Sequence, residues 1–294
     1  MNNRISLTGV THVGSREHNE DSYAADSRLG LALVADGMGG YACGELASEL
    51  VRQTVIEAVG NNEGLTEAIA RAHQVVKQAS TEDESRAGMG STVIAARVRD
   101  FDYEIAWVGD SRAYLWDGEL KQITRDHSYV EALLSAGAIS PAQALNHPNR
   151  NLITQAVGAA GAEGLEISVI HGRLGPGQQL LLCSDGLVDE VSDTRIARIL
   201  NKGDAPEETV QALVDAALKA GGRDNITVVL ASNGEDDGAG EPLIPYVIRT
   251  TTIHGKSVRH DSRPISDADG NREDDPVDNW WKRFFGLLHQ RPKK

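Results

Sequence analysis

The sequence has little cysteine, few aromatic residues and no long hydrophobic run. Only two cysteines occur among 294 residues, Cys43 and Cys183, which is too few for a disulfide framework. Neither has a histidine or a second cysteine close to it in the sequence, so no structural zinc site is expected. No segment approaches the roughly 18–20 apolar residues of a membrane span, and the N-terminal residues lack the apolar core of a signal peptide. These absences predict a cytoplasmic protein.

Negative charge is concentrated in residues 1–231. The sequence carries 29 basic and 43 acidic side chains, a formal net charge of −14. Residues 1–231 hold 32 of the acidic and 19 of the basic groups, whereas residues 232–294 hold 11 and 10. An acidic domain repels the phosphate backbone, so nucleic acid is not expected as a partner. A cation is the better candidate.

Composition divides the chain into three segments. Residues 1–231 are predicted to form one globular domain. Residues 232–278 open on a run of Gly, Asp and Glu and stay polar, which predicts a disordered linker. Residues 279–294 carry five basic groups and no acidic one.

The last segment has an amphipathic pattern. At helical spacing its apolar side chains share one face: Trp280, Trp281, Phe284, Phe285, Leu287 and Leu288. A basic amphipathic helix of this kind suits an anionic membrane surface, here the inner membrane face, or a protein partner. The alternative is that the helix packs back on the domain formed by residues 1–231.

Strands and helices are predicted in separate groups. Runs rich in Val, Ile and Leu predict strands over 29–35, 91–98, 103–108, 113–116, 179–184 and 225–231. Helical spacing covers 42–59 and 65–80, and again 193–200 and 206–220. Grouped strands and paired helices are typical of an α+β fold rather than of strict strand–helix alternation. A long excursion over 126–151 interrupts the strands and predicts a lid.

Acidic residues end or begin four of the predicted strands: Asp36, Asp110, Asp185 and Asp224. Buried carboxylates are costly unless they are paired, so this pattern predicts strand ends that converge on a cation. Oxygen ligands without a His or Cys cluster favour Mg²⁺ or Mn²⁺ over zinc. Two such ions activate water for attack on a phosphate ester, and Arg16 suits a phosphate oxygen.

Seven short motifs, in order, carry a resemblance to a known family. They are Arg16-x-x-x-Glu20-Asp21; Val34-Ala-Asp36-Gly37-Met38-Gly39-Gly40 with Gly44-Glu45; Gly90-Ser91-Thr92; Val108-Gly109-Asp110-Ser111-Arg112-Ala113-Tyr114; Thr124-x-Asp126-His127-Ser128; Ser184-Asp185-Gly186-Leu187; and Gly222-x-Asp224-Asn225-Ile226-Thr227-Val228. Over residues 4–231 the sequence closely resembles the PP2C-type (PPM) metal-dependent Ser/Thr protein phosphatases, most of all the compact bacterial members.

The resemblance implies a four-layer α-β-β-α sandwich of two antiparallel sheets flanked by helix pairs. It also implies two divalent cations, Mn²⁺ or Mg²⁺, and a third, weaker cation site. The implied roles are as follows: Asp36 and the Gly37 carbonyl bridge two ions, Asp185 and Asp224 complete the first site, Glu20 holds the second, and Asp110 with Asp185 forms the third.

Two further residues take roles from the resemblance. Asp36 and Arg16 are the expected catalytic residues, with Arg16 binding the substrate phosphate. The excursion over 126–151 corresponds to a mobile flap, with Asn151 near the third cation site. One position departs from the family pattern: many eukaryotic members have a histidine, the proposed general acid, where this chain has Met38. Methionine donates no proton, so the proton must come from a metal-bound water or from another residue. His18 and His127 are candidates, although each also fits a structural role.

The implied function is hydrolysis of phosphoserine and phosphothreonine in proteins by a metal-activated water, opposing a bacterial Ser/Thr kinase. Phosphorylated proteins and that kinase are the expected partners of a monomeric enzyme. Two alternatives stay open at this point: a catalytically inactive PP2C-like binding module, and a switch phosphatase of narrow specificity. An inactive module typically lacks one or more metal carboxylates, whereas Glu20, Asp36, Asp185 and Asp224 are all present.

Overall fold

A computed structural model describes residues 5–39, 43–159, 164–234, 247–254 and 257–264. Its strands are β1 (Ile5–His12), β2 (Asp21–Asp26), β3 (Leu31–Met38), β4 (Gly90–Ser91), β5 (Val93–Arg99), β6 (Asp102–Val108), β7 (Arg112–Trp116), β8 (Leu120–Gln122), β9 (Leu165–Arg173), β10 (Gln179–Cys183), β11 (Ile226–Asn233), β12 (Val247–His254) and β13 (Ser257–Pro264). Its α-helices are α1 (Cys43–Gly60), α2 (Leu65–Glu82), α3 (Tyr129–Ser135), α4 (Pro141–Leu145), α5 (Asp185–Val188), α6 (Asp193–Leu200) and α7 (Pro206–Ala220). A short 3₁₀ helix covers Glu84–Arg86.

The strands form two antiparallel sheets. The first sheet has the order β1-β11-β10-β7-β8, and the second has the order β13-β12-β9-β6-β5-β3-β2, with β4 paired to β3. Successive side chains of a strand point to opposite faces. In β3, Leu33 therefore packs in the core under α1 and α2, whereas Val34 packs in the core between the sheets. This alternation buries both faces of the second sheet.

Helices cover the two outer faces. The apolar side of α1 and α2, with Val55 and Ile69, packs on the second sheet. The apolar side of α6 and α7, with Ile196 and Leu213, packs on the first. The layers are thus helix, sheet, sheet and helix, which confirms the predicted four-layer sandwich. Among the described residues, no helix is long and apolar enough to cross a membrane.

The hairpin of β12 and β13 differs from the expectation of a disordered linker over 232–278. The structure pairs β12 with β9, from Val247 opposite His171 to Ile253 opposite Leu165. Without the hairpin, β9 would leave its backbone groups unpaired at the sheet edge. The segment is polar, which predicts disorder, but it is also rich in Val, Ile and Thr, which favour a strand where an edge is free. Residues 279–294, with the predicted amphipathic helix, lie outside the described residues.

The excursion over 126–151 contains two short helices. Ser128 is the N-cap of α3, and its hydroxyl accepts a hydrogen bond from the backbone N–H of Glu131 at 3.3 Å. Ser140 begins α4 in a capping box with Gln143. The far end returns to the start, since the backbone N–H of Tyr129 donates to the carbonyl of Leu152 at 2.8 Å. The role of this segment as a lid stays a prediction.

Candidate active site

The acidic residues gather at one end of the sandwich because the strand ends that carry them meet there. Asp21 begins β2 and lies directly opposite Asp36, near the end of β3. Asp110 lies on the crossover from β6, in one sheet, to β7, in the other. Asp185 follows β10, and Asp224 precedes β11, the antiparallel neighbour of β10. The structure therefore brings together the four aspartates that the sequence singled out, and adds Asp21.

Burial and like charge disfavour the ionised form of these carboxyl groups. Burial raises the pKa of Asp36 well above its usual range, and the charges of Asp21 and Asp185 raise it further. Burial likewise raises the pKa of Asp185, with a further increase from the charge of Asp110. The pKa values of Asp21 and Asp110 are each raised to about 6, mainly by burial. A bound cation would reverse this preference.

Two carboxylate oxygens of this cluster are buried with no hydrogen-bond partner among the described residues. They are Oδ1 of Asp21 and Oδ1 of Asp185. The other oxygen of Asp21 accepts a hydrogen bond from the Ser184 hydroxyl at 2.8 Å. A buried carboxylate oxygen without a donor is costly, and a hard divalent cation satisfies it. The orphaned oxygens and the oxygen-only donor set both fit Mg²⁺ or Mn²⁺.

Glu20 and the Gly37 carbonyl converge on one small space. A Cβ atom on Gly44 would lie 2.7 Å from Oε1 of Glu20 and 2.8 Å from the carbonyl oxygen of Gly37. The backbone N–H of Gly37 also donates to the Glu20 carbonyl at 3.0 Å. Only glycine at position 44 leaves this space open, which suits the role of Glu20 and Gly37 as neighbouring ligands.

The carboxylates line the site without already forming a closed cage. The described residues contain no group of three or more His, Cys, Asp or Glu side chains arranged to hold a metal ion. Asp224, for example, uses both carboxylate oxygens on protein donors: Oδ2 accepts from Arg16 at 2.7 Å, and Oδ1 accepts from the backbone N–H of Asn225 at 2.8 Å. The site fits divalent cations by charge, donor type and orphaned oxygens rather than by a completed ligand shell.

Arg16 lies on the expected metal ligand Asp224. Besides that contact, its Nε donates to the backbone carbonyl of Arg223 at 3.3 Å. The Arg16 side chain is 55% exposed, so its guanidinium also faces solvent, from which a phosphate would approach. The structure thus places Arg16, the expected phosphate ligand, in direct contact with Asp224, an expected metal ligand.

The loop that carries Arg16 and Glu20 is held by a residue to which the sequence reasoning gave no role. The side-chain N–H groups of Asn225 donate to the carbonyls of Val13 and His18, both at 2.9 Å. Its Oδ1 accepts from the backbone N–H of Glu20 at 2.8 Å. One buried amide therefore fixes residues 13–20. The sequence signals were its place in the seventh motif and a polar side chain at the start of an otherwise apolar strand.

The Gly-Ser-Thr motif fixes the backbone of Asp36. The carbonyl of Asp36 accepts from the Thr92 backbone N–H at 2.8 Å and from the Ser91 hydroxyl at 3.0 Å. The backbone N–H of Asp36 donates to the Thr92 hydroxyl oxygen at 3.0 Å. That hydroxyl lies 2.9 Å from the hydroxyl of Ser111, the residue after Asp110. The motif thus ties Asp36 to the crossover that carries Asp110.

The predicted flap reaches the site through Asn151. Asn151 lines one small pocket together with Asp110 and Asp185, the pair assigned to the third cation. Its side-chain N–H donates to Oδ2 of Asp189 at 3.3 Å, and Nη2 of Arg150 lies 3.9 Å from the same oxygen. Asp189 is a further acid at this edge that the sequence reasoning missed.

His127 is a structural histidine. Its Nδ1 accepts from the backbone N–H of Gly109 at 3.3 Å, and its Nε2 lies 3.0 Å from the Ser168 hydroxyl. The ring stacks on Trp107, and burial lowers its pKa to about 4. Since the ring is neutral at pH 7 and both nitrogens are engaged, His127 is not suited to proton donation. His18 is exposed, and its carbonyl is one of the Asn225 contacts.

Known proteins are similar to this chain in sequence and in fold. Residues 8–220 match the family described as Protein phosphatase 2C. The chain is 41% identical over 239 residues to Serine/threonine protein phosphatase PstP of Mycobacterium tuberculosis, a match that covers 78% of this chain and 45% of that protein. It is 34% identical over 229 residues to Serine/threonine phosphatase stp of Listeria monocytogenes, covering 73% of this chain and 90% of that protein.

One of the similar solved structures contains metal ions. The crystal structure of the PstP catalytic domain in complex with two manganese ions matches this fold with a TM-score of 0.69 at 33% identity. The match covers 79% of this chain and 100% of that chain. The chain therefore spans less than half of the length of the mycobacterial relative, whereas its match covers the whole of the crystallised PstP catalytic domain.

Proposed function

The chain belongs to the protein phosphatase 2C family, and from this premise we propose that it is a metal-dependent phosphatase acting on phosphoserine and phosphothreonine in proteins. The observation that carries the proposal is the cluster of buried carboxylates at one end of the sandwich, with raised pKa values and two orphaned oxygens. Such a cluster is stable in its ionised form only beside cations.

The proposed cation ligands are the residues to which the family resemblance assigns that role, and they lie where the strand ends converge. Asp36 and the Gly37 carbonyl would be shared by two ions, Asp185 and Asp224 would complete the first site, and Glu20 would hold the second. Asp110 with Asp185 would form a third, weaker site beside Asn151, so Asp185 would serve two sites. Mn²⁺ or Mg²⁺ suits this oxygen-only set. When bound, the ions supply an activated water and neutralise negative charge on the phosphoryl group.

The protein's own part is to position the substrate and to stabilise charge. Arg16 binds a phosphoryl oxygen, because its guanidinium is exposed on one side and held on the other by Asp224 and the Arg223 carbonyl. Water attacks phosphorus, the bond from phosphorus to the serine or threonine oxygen breaks, and that oxygen takes up a proton. Met38 has no proton to donate and His127 is neutral with both ring nitrogens engaged, so the proton comes from water or from the exposed His18.

Phosphate release from a phosphothreonine peptide tests the proposal. The full chain is assayed with Mn²⁺ and with EDTA, beside Asp36→Asn. The control is Asp102→Asn, which removes an exposed carboxylate of β6 paired with Arg173 at 3.3 Å, far from the strand ends of the site. Release should require Mn²⁺, vanish in Asp36→Asn and persist in the control. No release from the folded protein with Mn²⁺ would instead support an inactive binding module.

The partner and the location extend the proposal. The enzyme acts as a monomer in the cytoplasm on proteins phosphorylated by a cognate Ser/Thr kinase. Residues 279–294 dock it on an anionic membrane surface or on that kinase, because they carry five basic groups beside an apolar face. Removal of 279–294 should abolish liposome binding or kinase co-purification, whichever of the two the full chain shows, while leaving peptide hydrolysis intact. Unchanged binding in both assays would refute the docking role.

A further inference from the structure

The ion pair of Glu190 and Arg223 lies beside the expected metal and phosphate residues without belonging to them. Arg223 donates to Oε1 of Glu190 twice, through Nε at 2.7 Å and through its backbone N–H at 3.1 Å. The Glu190 side chain is only 4% exposed, whereas that of Arg223 is 68% exposed. A buried carboxylate therefore accepts hydrogen bonds from both the side chain and the backbone of one surface residue.

Arg223 connects the Glu190 carboxylate to the candidate active site. Its carbonyl accepts a hydrogen bond from Nε of Arg16 at 3.3 Å, and the next residue in the chain is Asp224, which accepts from Nη2 of Arg16 at 2.7 Å. Fixing Arg223 therefore fixes two contacts of Arg16 and the starting position of the Asp224 side chain.

The backbone ahead of Arg223 needs such a brace. Gly221 and Gly222 both have positive φ, 149° and 54°. Glycine has the widest range of accessible backbone conformations, so this turn depends on its contacts to keep one of them. The carboxylate of Glu190 packs against the turn, since a Cβ on Gly221 would lie 3.3 Å from Oε2. On its other side the turn is held by the backbone N–H of Ser15, which donates to the Gly222 carbonyl at 2.7 Å.

We propose that Glu190 is a positioning residue for the phosphatase site. Through Arg223 it holds residues 221–224 in the conformation that presents Asp224 to a divalent cation and Arg16 to the substrate phosphate. The inference rests on the proposed function. Groups that orient a metal ligand typically contribute about 10- to 100-fold to metal affinity or activity, and Glu190 acts on Asp224 from one residue away.

The first test measures Mn²⁺ binding and backbone protection in the full chain. Glu190→Ala is compared with Glu49→Ala, a matched control whose carboxylate also accepts two hydrogen bonds from one arginine, Arg52, at 2.8 and 2.6 Å on α1. Glu190→Ala should weaken Mn²⁺ binding by calorimetry about 10-fold and speed amide exchange over 221–225. The control should leave both at wild-type values. Equal Mn²⁺ affinity and equal exchange in wild type and Glu190→Ala would overturn the proposal.

Two milder variants guard against loss of folding. Glu190→Gln keeps an acceptor oxygen but removes the charge, and Arg223→Ala keeps the backbone donor but removes Nε. Each should weaken Mn²⁺ binding less than Glu190→Ala, whereas a merely structural role would lower thermal stability without moving Mn²⁺ affinity.

Peptide hydrolysis separates this inference from the function on which it rests. At saturating Mn²⁺, Glu190→Ala should raise KM for a phosphothreonine peptide several-fold, because Arg16 loses its brace, with a smaller change in kcat. An active wild type with an unchanged variant would refute the positioning role alone. An inactive wild type would refute the phosphatase proposal, while Mn²⁺ affinity and amide exchange would still decide the role of Glu190.

Discussion

Two clusters of enclosed charge lie near the same end of the molecule and differ in how their charges are balanced. In the carboxylate cluster, Asp21, Asp36 and Asp185 face one another, and burial raises their pKa values. At the base of the flap, Arg112 donates to Asp126 through Nε, at 3.1 and 3.0 Å to the two oxygens, and through Nη2 at 2.8 Å. Among the described residues, no basic side chain forms an ion pair with these three aspartates, whereas the second cluster contains its own counter-charge.

This difference separates a binding site from a structural brace. The Arg112 guanidinium is also within 3.3 Å of the Tyr114 hydroxyl, and Asp126 accepts a further hydrogen bond from Gln122 at 3.1 Å. A satisfied ion pair of this kind rigidifies the crossover beside Asp110. An enclosed charge that the protein leaves unbalanced is instead costly, and its retention indicates a ligand of opposite charge.

The largest expected effect comes from removing one unbalanced carboxylate. Asp185→Asn should lower the rate of phosphate release with Mn²⁺ by about 10³-fold, or about 4 kcal/mol of transition-state stabilisation, because a shared ligand of two cation sites is lost. The thermal unfolding temperature without metal should not fall, since the change removes a like charge. A variant that retains more than a tenth of the wild-type rate would contradict the metal role of Asp185.

The balanced cluster should show the opposite response. Asp126→Asn leaves the charge of Arg112 unpaired, so the free energy of unfolding, measured with urea, should fall by about 3–5 kcal/mol. Asp102→Asn is the control, because its exposed pair with Arg173 is worth about 1 kcal/mol or less. Equal losses in the two variants would remove the distinction between the clusters.

His127 belongs to the balanced region and predicts a pH dependence. Its pKa is about 4 in the folded protein against an ordinary value of 6.5, so the unfolded chain takes up the proton first as the pH falls. The stabilisation is complete above pH 6.5 and is lost progressively towards pH 4, by about 3 kcal/mol. The stability difference between wild type and His127→Asn should therefore shrink by about that amount from pH 7 to pH 4. A constant difference would show that His127 takes up a proton as readily in the folded protein as in the unfolded chain.

Asp21 should give the smallest effect, and one of opposite sign. Its pKa of about 6 lies above the ordinary value of 3.8, so its ionisation destabilises the metal-free fold as the pH rises from about 4 through 6. In EDTA at pH 7.5, Asp21→Asn should raise the free energy of unfolding by about 1–2 kcal/mol, with no gain at pH 4. With Mn²⁺ present, the wild type should be the more stable protein. A loss of stability at pH 7.5 in EDTA would mean that the protein itself neutralises this carboxylate.

Strong periodicity made much of the fold predictable. The helical blocks over 42–59 and 65–80 correspond to α1 and α2, and the apolar run over 29–35 corresponds to β3. The strands β1, β2 and β9 and the hairpin of β12 and β13 were missed, because they mix polar and apolar residues. Their stability comes from pairing with strands far away in the chain, such as β1 with β11.

The site divides in the same way. The family, the oxygen-only donor set and the residues Glu20, Asp36, Asp110, Asp185 and Asp224 followed from the sequence alone, because strand-end acids and ordered motifs are local patterns. The metal roles of these residues stay predictions. The hydrogen bond between Asn225 and Val13 joins residues 212 positions apart in the sequence, and the one between Glu190 and Arg223 joins residues 33 positions apart. Only the tertiary structure decided these contacts and the satisfied pair of Arg112 and Asp126, because hydrogen bonds depend on where folding brings a side chain and not on its neighbours in the chain.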